Sequence, residues 1–267
     1  MRKNVILSIL ISLALYGCEM FDCHPYDVNI SGERGLTERN VKLIELQTCG
    51  KKSLRFAMIS DTQGAYDETA DAVKAINKEN VDFIVHGGDL SDYGMAREFM
   101  MQRDIMNKFK APYVCVIGNH DCLGTGEESY RAVFGPLNFA FTSGNVRFIC
   151  LNTNALEYDY TEPVPDLGFL ENELKNLSPE VEKTVFLMHV KPYEMVFNNN
   201  VAKAFELYVN QFPKVQFCLY GHEHKFAEDN LFGDGIMYYQ CPDIAKRKYL
   251  IFNIKDDDTY EYEIKSF

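Results

Sequence analysis

Five short polar turns carry the side chains able to do chemistry. They are Asp61-Thr62-Gln63, Gly87-Gly88-Asp89, Gly118-Asn119-His120-Asp121, His189, and Gly221-His222-Glu223-His224. Four of the chain's six histidines lie in them. A mixture of Asp, Asn and His donors suits first-row divalent metals. The glycines allow the backbone to pass close beside such a site. Singly, each fragment is weak: Asn-His-Asp could be a capping turn, and a lone histidine is more often a satisfied core residue. Their shared context is stronger, because each turn follows an apolar run that reads as a strand. In open α/β sheets ligands collect beyond the carboxyl ends of strands. Turns spread from position 61 to 224 can therefore converge.

The elements that must position these turns alternate in type. Residues 54–59, 81–85, 113–117, 185–188 and 215–220 are near-continuous apolar runs that read as strands. Residues 68–78, 95–109, 169–177 and 202–212 have helical spacing. Strand–helix alternation with apolar strands predicts a layered α/β fold whose sheets are covered on both faces. Residues 139–142 and 146–151, around Gly144-Asn145, read as a hairpin, and 249–254 with 260–264 as a terminal antiparallel pair. Residues 26–30 alternate like a strand, and 157–166, with Tyr158 and Tyr160, read as a long surface loop.

Composition narrows the classes. The 267 residues are 46% hydrophobic, too apolar for a disordered chain. The formal charge of −12 gives no basic footprint, so no nucleic-acid-binding surface is evident. There is no GxSxG elbow and no GxxxxGK[ST] loop, and His222-Glu223-His224 lacks the HExxH spacing of zinc proteases.

At the N-terminus, Arg2 and Lys3 precede an apolar run from Val5 to Leu15, too short to span a bilayer, which takes about 20 residues. Leu15-Tyr16-Gly17-Cys18 resembles a bacterial lipoprotein signal, with Tyr16 departing from the usual small residue. That resemblance implies removal of residues 1–17, acylation of Cys18, and an exported protein anchored to the cell-envelope membrane. An ordinary signal peptide cut elsewhere is the plainer reading. The remaining chain divides into an N-terminal extension, 18–50, and one catalytic domain, 51–267. Cys23 and Cys49 could pair in an oxidising compartment, whereas Cys115, Cys150 and Cys218 lie in apolar runs and read as buried thiols.

The order of the five turns resembles the calcineurin-like metallophosphoesterases, whose pattern runs D-x-H, G-D, G-N-H-D/E, H, G-H-x-H. The resemblance implies a four-layer α/β/β/α sandwich with two mixed β-sheets. It implies two divalent ions (Mn, Fe, Zn, Ni or similar), one held by Asp61, the residue at Gln63 and His224, the other by Asn119, His189 and His222, with Asp89 bridging. His120 then stands by the leaving group and is not a ligand. The implied reaction is hydrolysis of a phosphate mono- or diester by a metal-bridging hydroxide attacking phosphorus in line. Asp121 is expected to orient His120. His86, Asn154 and Lys191 are weaker candidates for supporting contacts, with ordinary packing favoured for the last two.

Gln63 departs from the pattern, since an amide oxygen replaces the usual imidazole. It is either a weaker ligand or a hydrogen-bond partner of bound water. A different class remains beside the enzyme: a surface lipoprotein that binds a phosphorylated ligand or protein partner in the same cleft without turnover.

Overall fold

The computed structural model describes His24 and residues 26–267. Two mixed sheets lie face to face with helices outside each. One sheet runs β11 (Tyr260–Ser266), β10 (Lys248–Ile254), β1 (Leu54–Ile59), β2 (Phe83–His86), β3 (Tyr113–Cys115). The other runs β4 (Phe139–Ser143), β5 (Val146–Leu151), β6 (Lys183–Met188), β7 (Val215–Tyr220), β9 (Met237–Gln240), β8 (Ala227–Asp229). The expected sandwich is the observed one.

Side-chain alternation explains why the strands are apolar throughout. In β1, Phe56 and Met58 point between the sheets, while Ala57 and Ile59 point to the outer helices. In β7, Phe217 and Leu219 face inward, while Cys218 and Tyr220 face the opposite helical layer. The inter-sheet layer is aromatic: Phe56 stacks on Phe83 at 5.1 Å and meets Phe148 edge-on at 5.5 Å.

The helices are α1 (Leu36–Thr48), α2 (Tyr66–Ile76), α3 (Ala96–Met106), α4 (Gly126–Val133), α5 (Leu167–Lys175) and α6 (Ala202–Val209). In α2 the buried residues Thr69, Ala72, Val73 and Ile76 follow the i, i+3, i+4, i+7 stripe of a half-buried helix. Asp166 starts α5 by accepting the amide of Phe169 at 2.9 Å.

Several expectations need correction. Residues 26–30 form no strand; Tyr26 instead lies against the loop after Cys122, with its carbonyl accepting the Thr125 hydroxyl at 2.7 Å. The segment 18–50 contains α1, whose Leu36 and Ile44 are fully buried against the sheets. The stretch 157–166 begins within a 3-10 turn, Ala155–Tyr158, that pins Tyr158 to Asn152 at 3.1 Å and Glu127 at 2.7 Å. Cys115, Cys150 and Cys218 are buried as expected. The leader 1–17, Cys18 and Cys23, and with it the pairing with Cys49, lie outside the described residues. No helix among the described residues is long and apolar enough to cross a membrane.

Candidate metal centre

All five turns leave the carboxyl ends of β1, β2, β3, β6 and β7 and meet at one edge of the sandwich. Backbone bonds lock the first two together. Asp61 N donates to Gly88 O at 3.0 Å, and Thr62 N and Gln63 N donate to Asp89 O at 2.9 and 3.1 Å. This crossing puts Asp61, Gln63 and Asp89 at positive φ, 51°, 35° and 58°. His222 and His224 join them at 80° and 58°. Positive φ in non-glycine residues costs energy and gathers where surrounding structure over-determines it, at functional sites above all. Gly118 is required for a different reason: a Cβ there would stand 2.1 Å from Asp89 N.

Two groups of donors form. In the first, Asp61, Asp89 and His224 each offer an atom within 4.8 Å of the others. In the second, Asn119 Oδ1 lies 3.0 Å from both His189 Nε2 and His222 Nδ1. Asp89 joins them, with Oδ1 3.4 Å from His189 Nε2. The sets expected from the sequence are thus brought together around Asp89. Gln63 is half-buried beside them, and its carbonyl, rather than its side chain, is engaged, accepting from Gln102 Nε2 at 2.6 Å.

The donor chemistry fits divalent cations. His189 Nδ1 lies 2.7 Å from Gly87 O, a carbonyl, so that nitrogen carries the proton. Its Nε2 then faces two oxygens, Asn119 Oδ1 and Asp89 Oδ1, an arrangement that takes either a second proton on the ring or a cation shared by the three atoms. A backbone carbonyl holding the far nitrogen is the usual way a ligand histidine is fixed. Burial pulls His189 toward neutrality, but the Asp89 carboxylate outweighs it and the pKa rises to about 9. His222 goes the other way, to about 4, through burial and the charge of His189. His224 is raised by its contact with Asp61, at 3.4 Å.

Asp121 does not orient His120. It is fully buried and accepts from Leu90 N, Ser91 N, Ser91 Oγ and Gly118 N at 2.8–3.1 Å. Three backbone amides and a hydroxyl use up its lone pairs, so it braces the Asp89 and Asn119 turns instead. His120 is held by Asp92 O, 2.9 Å from Nδ1, and its own amide donates to Asp89 Oδ1 at 3.0 Å. Asn154 is buried and donates to Ile117 O at 3.0 Å, and Lys191 pairs with Asp229 at 3.0 Å; both do packing duty.

Three supporting groups escaped the sequence reading. Gln102 projects from α3, where no pattern marks it. The Asp92 carbonyl is invisible to side-chain reasoning. Asp243 Oδ2, 3.7 Å from His224 Nδ1, follows β9 and obeys the same strand-end rule that found the others.

The sequence profile of the calcineurin-like phosphoesterases matches residues 54–226, and the chain belongs to that family. It is 25% identical over 218 residues to a probable cyclic nucleotide phosphodiesterase of Ruthia magnifica subsp. Calyptogena magnifica, covering 76% of this chain and 85% of that protein. It is 26% identical over 204 residues to the DNA double-strand break repair protein Mre11 of Archaeoglobus fulgidus, covering 64% of this chain but only 46% of that protein. A dimetal phosphatase from Danio rerio shares the fold, with a TM-score of 0.60, 13% identity, and coverage of 80% and 99% of the two chains.

Proposed function

We propose that this protein is a divalent-metal-dependent phosphoesterase using two ions. Asp61, Gln63 and His224 hold one, Asn119, His189 and His222 hold the other, and Asp89 serves both. The observation that carries the reading is the 4.8 Å clustering of Asp61, Asp89 and His224 beside the Asn119–His189–His222 group. The similarity to a phosphodiesterase and to a dimetal phosphatase supports it.

When bound, the ions supply Lewis acidity toward the phosphoryl oxygens and a water acidic enough to act as nucleophile near neutrality. The chain's own residues do the rest. The carboxylates of Asp61 and Asp89 bring two negative charges against four positive, leaving a local positive excess that attracts a phosphoester despite the acidic surface. His120, held at Nδ1 by the Asp92 carbonyl, presents Nε2 to the leaving oxygen and gives it a proton. Asp121 and His86 fix the turns. Export and anchoring through an acylated Cys18 belong to the same proposal, supported by the leader sequence. Hydrolysis of p-nitrophenyl phosphate and its bis-ester, with Mn²⁺ and after chelation, tests the activity. Turnover of either that chelation abolishes is expected; turnover of neither, with metal bound, contradicts it.

A further inference from the structure

The described residues begin beside the catalytic mouth. The Tyr26 ring packs on Gly124, where a Cβ would stand 2.5 Å from Tyr26 Cε1, and the Tyr26 carbonyl accepts from Thr125. Gly124 is four residues after His120. Cys18 is eight positions before Tyr26, and eight residues reach at most roughly 29 Å even fully extended. A domain of this length is about 45 Å across. A lipid on Cys18 would therefore hold the mouth within that reach of the bilayer, a limit that the opposite end of the sandwich does not share.

The distribution of exposed apolar side chains agrees. Ten large hydrophobic residues are exposed among the described residues. Five of them, Tyr93, Leu123, Tyr160, Tyr193 and Met195, lie on the loops that leave the carboxyl ends of β2, β3, β5 and β6, and a sixth, Tyr26, packs on the loop after β3. Tyr93 and Leu123 flank His120: Asp92 O holds its ring, and Leu123 N donates to its carbonyl at 3.3 Å. Across the mouth the Tyr160 hydroxyl donates to Met195 O at 2.7 Å, joining two of the apolar loops. Exposed apolar groups gathered on one end of a molecule mark an interaction surface.

We propose that this rim, centred on Tyr93 and Leu123, rests on the lipid bilayer to which Cys18 is anchored, so that the metal centre opens at the lipid–water interface. The inference rests on the lipid-anchor reading of Cys18 and not on turnover. The formal charge of −12 makes the contact apolar rather than electrostatic, so zwitterionic lipid suffices.

The chain has no tryptophan, so one introduced residue becomes a single reporter. Leu123→Trp and, separately, Leu46→Trp are made in the full exported chain and reconstituted in brominated phosphatidylcholine vesicles. Leu46 is exposed on α1, whose end packs on the Ser143–Gly144 turn, at the opposite end of the strands. Leu123→Trp should lose its emission to the bromines, and Leu46→Trp should keep it. Equal emission at the two positions overturns the proposal, as does a mature chain whose mass shows no acyl group on Cys18. Tyr93→Trp repeats the test if Leu123→Trp does not fold. Because quenching needs no catalysis, a protein inactive on p-nitrophenyl esters still decides the matter.

Discussion

His86 Nε2 lies 3.0 Å from Thr62 Oγ1, in a fully buried pair that ties the turn bearing Asp61 to the turn bearing Asp89. The other nitrogen, Nδ1, accepts from Gly88 N at 3.1 Å, which assigns the proton to Nε2 and makes Thr62 the acceptor. Gly88 in turn carries the carbonyl bonded by Asp61 N, and Gly87 the one that fixes His189. His86→Phe fills the same space while leaving the Gly88 amide and Thr62 hydroxyl without partners. Metal affinity should fall about 10–100-fold, the range for groups that support ligands. Titration against a chelator measures it, and an unchanged affinity refutes the role.

The same residue predicts an acid response. Burial, with the charge of His189, pushes His86 down to about 3. The unfolded chain therefore takes up a proton near pH 6.5 that the fold refuses, and stability drains as pH falls from 6.5 toward 3. Melting curves of wild type and His86→Phe across that window should converge toward acid, because only the wild type carries this loss.

His189 titrates in the opposite sense. Its metal-free pKa of about 9 lies above the unfolded value, so its proton stabilises the apo fold fully below pH 6.5 and less as pH rises through 9. A metal must displace that proton. Mn²⁺ binding should release a proton at pH 7.5 and tighten up to pH 9, which calorimetry in buffers of different ionisation heat will show.

His120→Ala and Asp121→Asn should separate chemistry from bracing. The first removes a ring whose one bond among the described residues is to the Asp92 carbonyl, so the rate should drop about 10²–10⁴-fold with metals retained and the melting temperature little changed. The second turns an acceptor surrounded by amide N–H groups partly into a donor. It should cost about 1–3 kcal/mol of stability, read by denaturant unfolding, with activity following the loss of fold.

Much of this was legible in the sequence because strand ends and site residues share one rule. The runs ending at Ile59, Val85, Met188 and Tyr220 are largely apolar, and each is broken abruptly by a polar residue or a glycine, Ser60, His86, His189 and Gly221. The α1 and α4 helices were missed for different reasons: α1 mixes Glu38, Lys42 and Glu45 with its apolar positions, and α4 spans only eight residues whose buried stripe, Gly126, Ser129, Tyr130 and Val133, is half made of small or polar side chains. Residues 26–30 alternate as a strand would, yet pair with no strand among the described residues, since side chains take their carbonyls instead: Thr125 that of Tyr26 and Arg34 that of Ile30. Supporting contacts such as Gln102 to Gln63, or Asp92 to His120, depend on carbonyls and long-range packing that spacing does not encode.

Gln63 is where the chain departs from its family's pattern. Its carbonyl is tied to Gln102 and its positive φ is set by the crossing with Asp89, so the side chain starts from a fixed base. Gln63→His should tighten the ion at Asp61 and His224 without changing the one at Asn119. Competition with a graded chelator distinguishes the two sites, and equal affinities before and after would show that Gln63 is not a ligand.

The central claim is a two-ion centre assembled by five distant turns. Anomalous diffraction at the manganese edge, from crystals grown with Mn²⁺, tests it most directly. Two peaks are expected, both within bonding distance of Asp89, one beside Asp61 and His224 and the other beside Asn119, His189 and His222. No peak near Asp89, in crystals where Mn²⁺ is bound elsewhere, would contradict it.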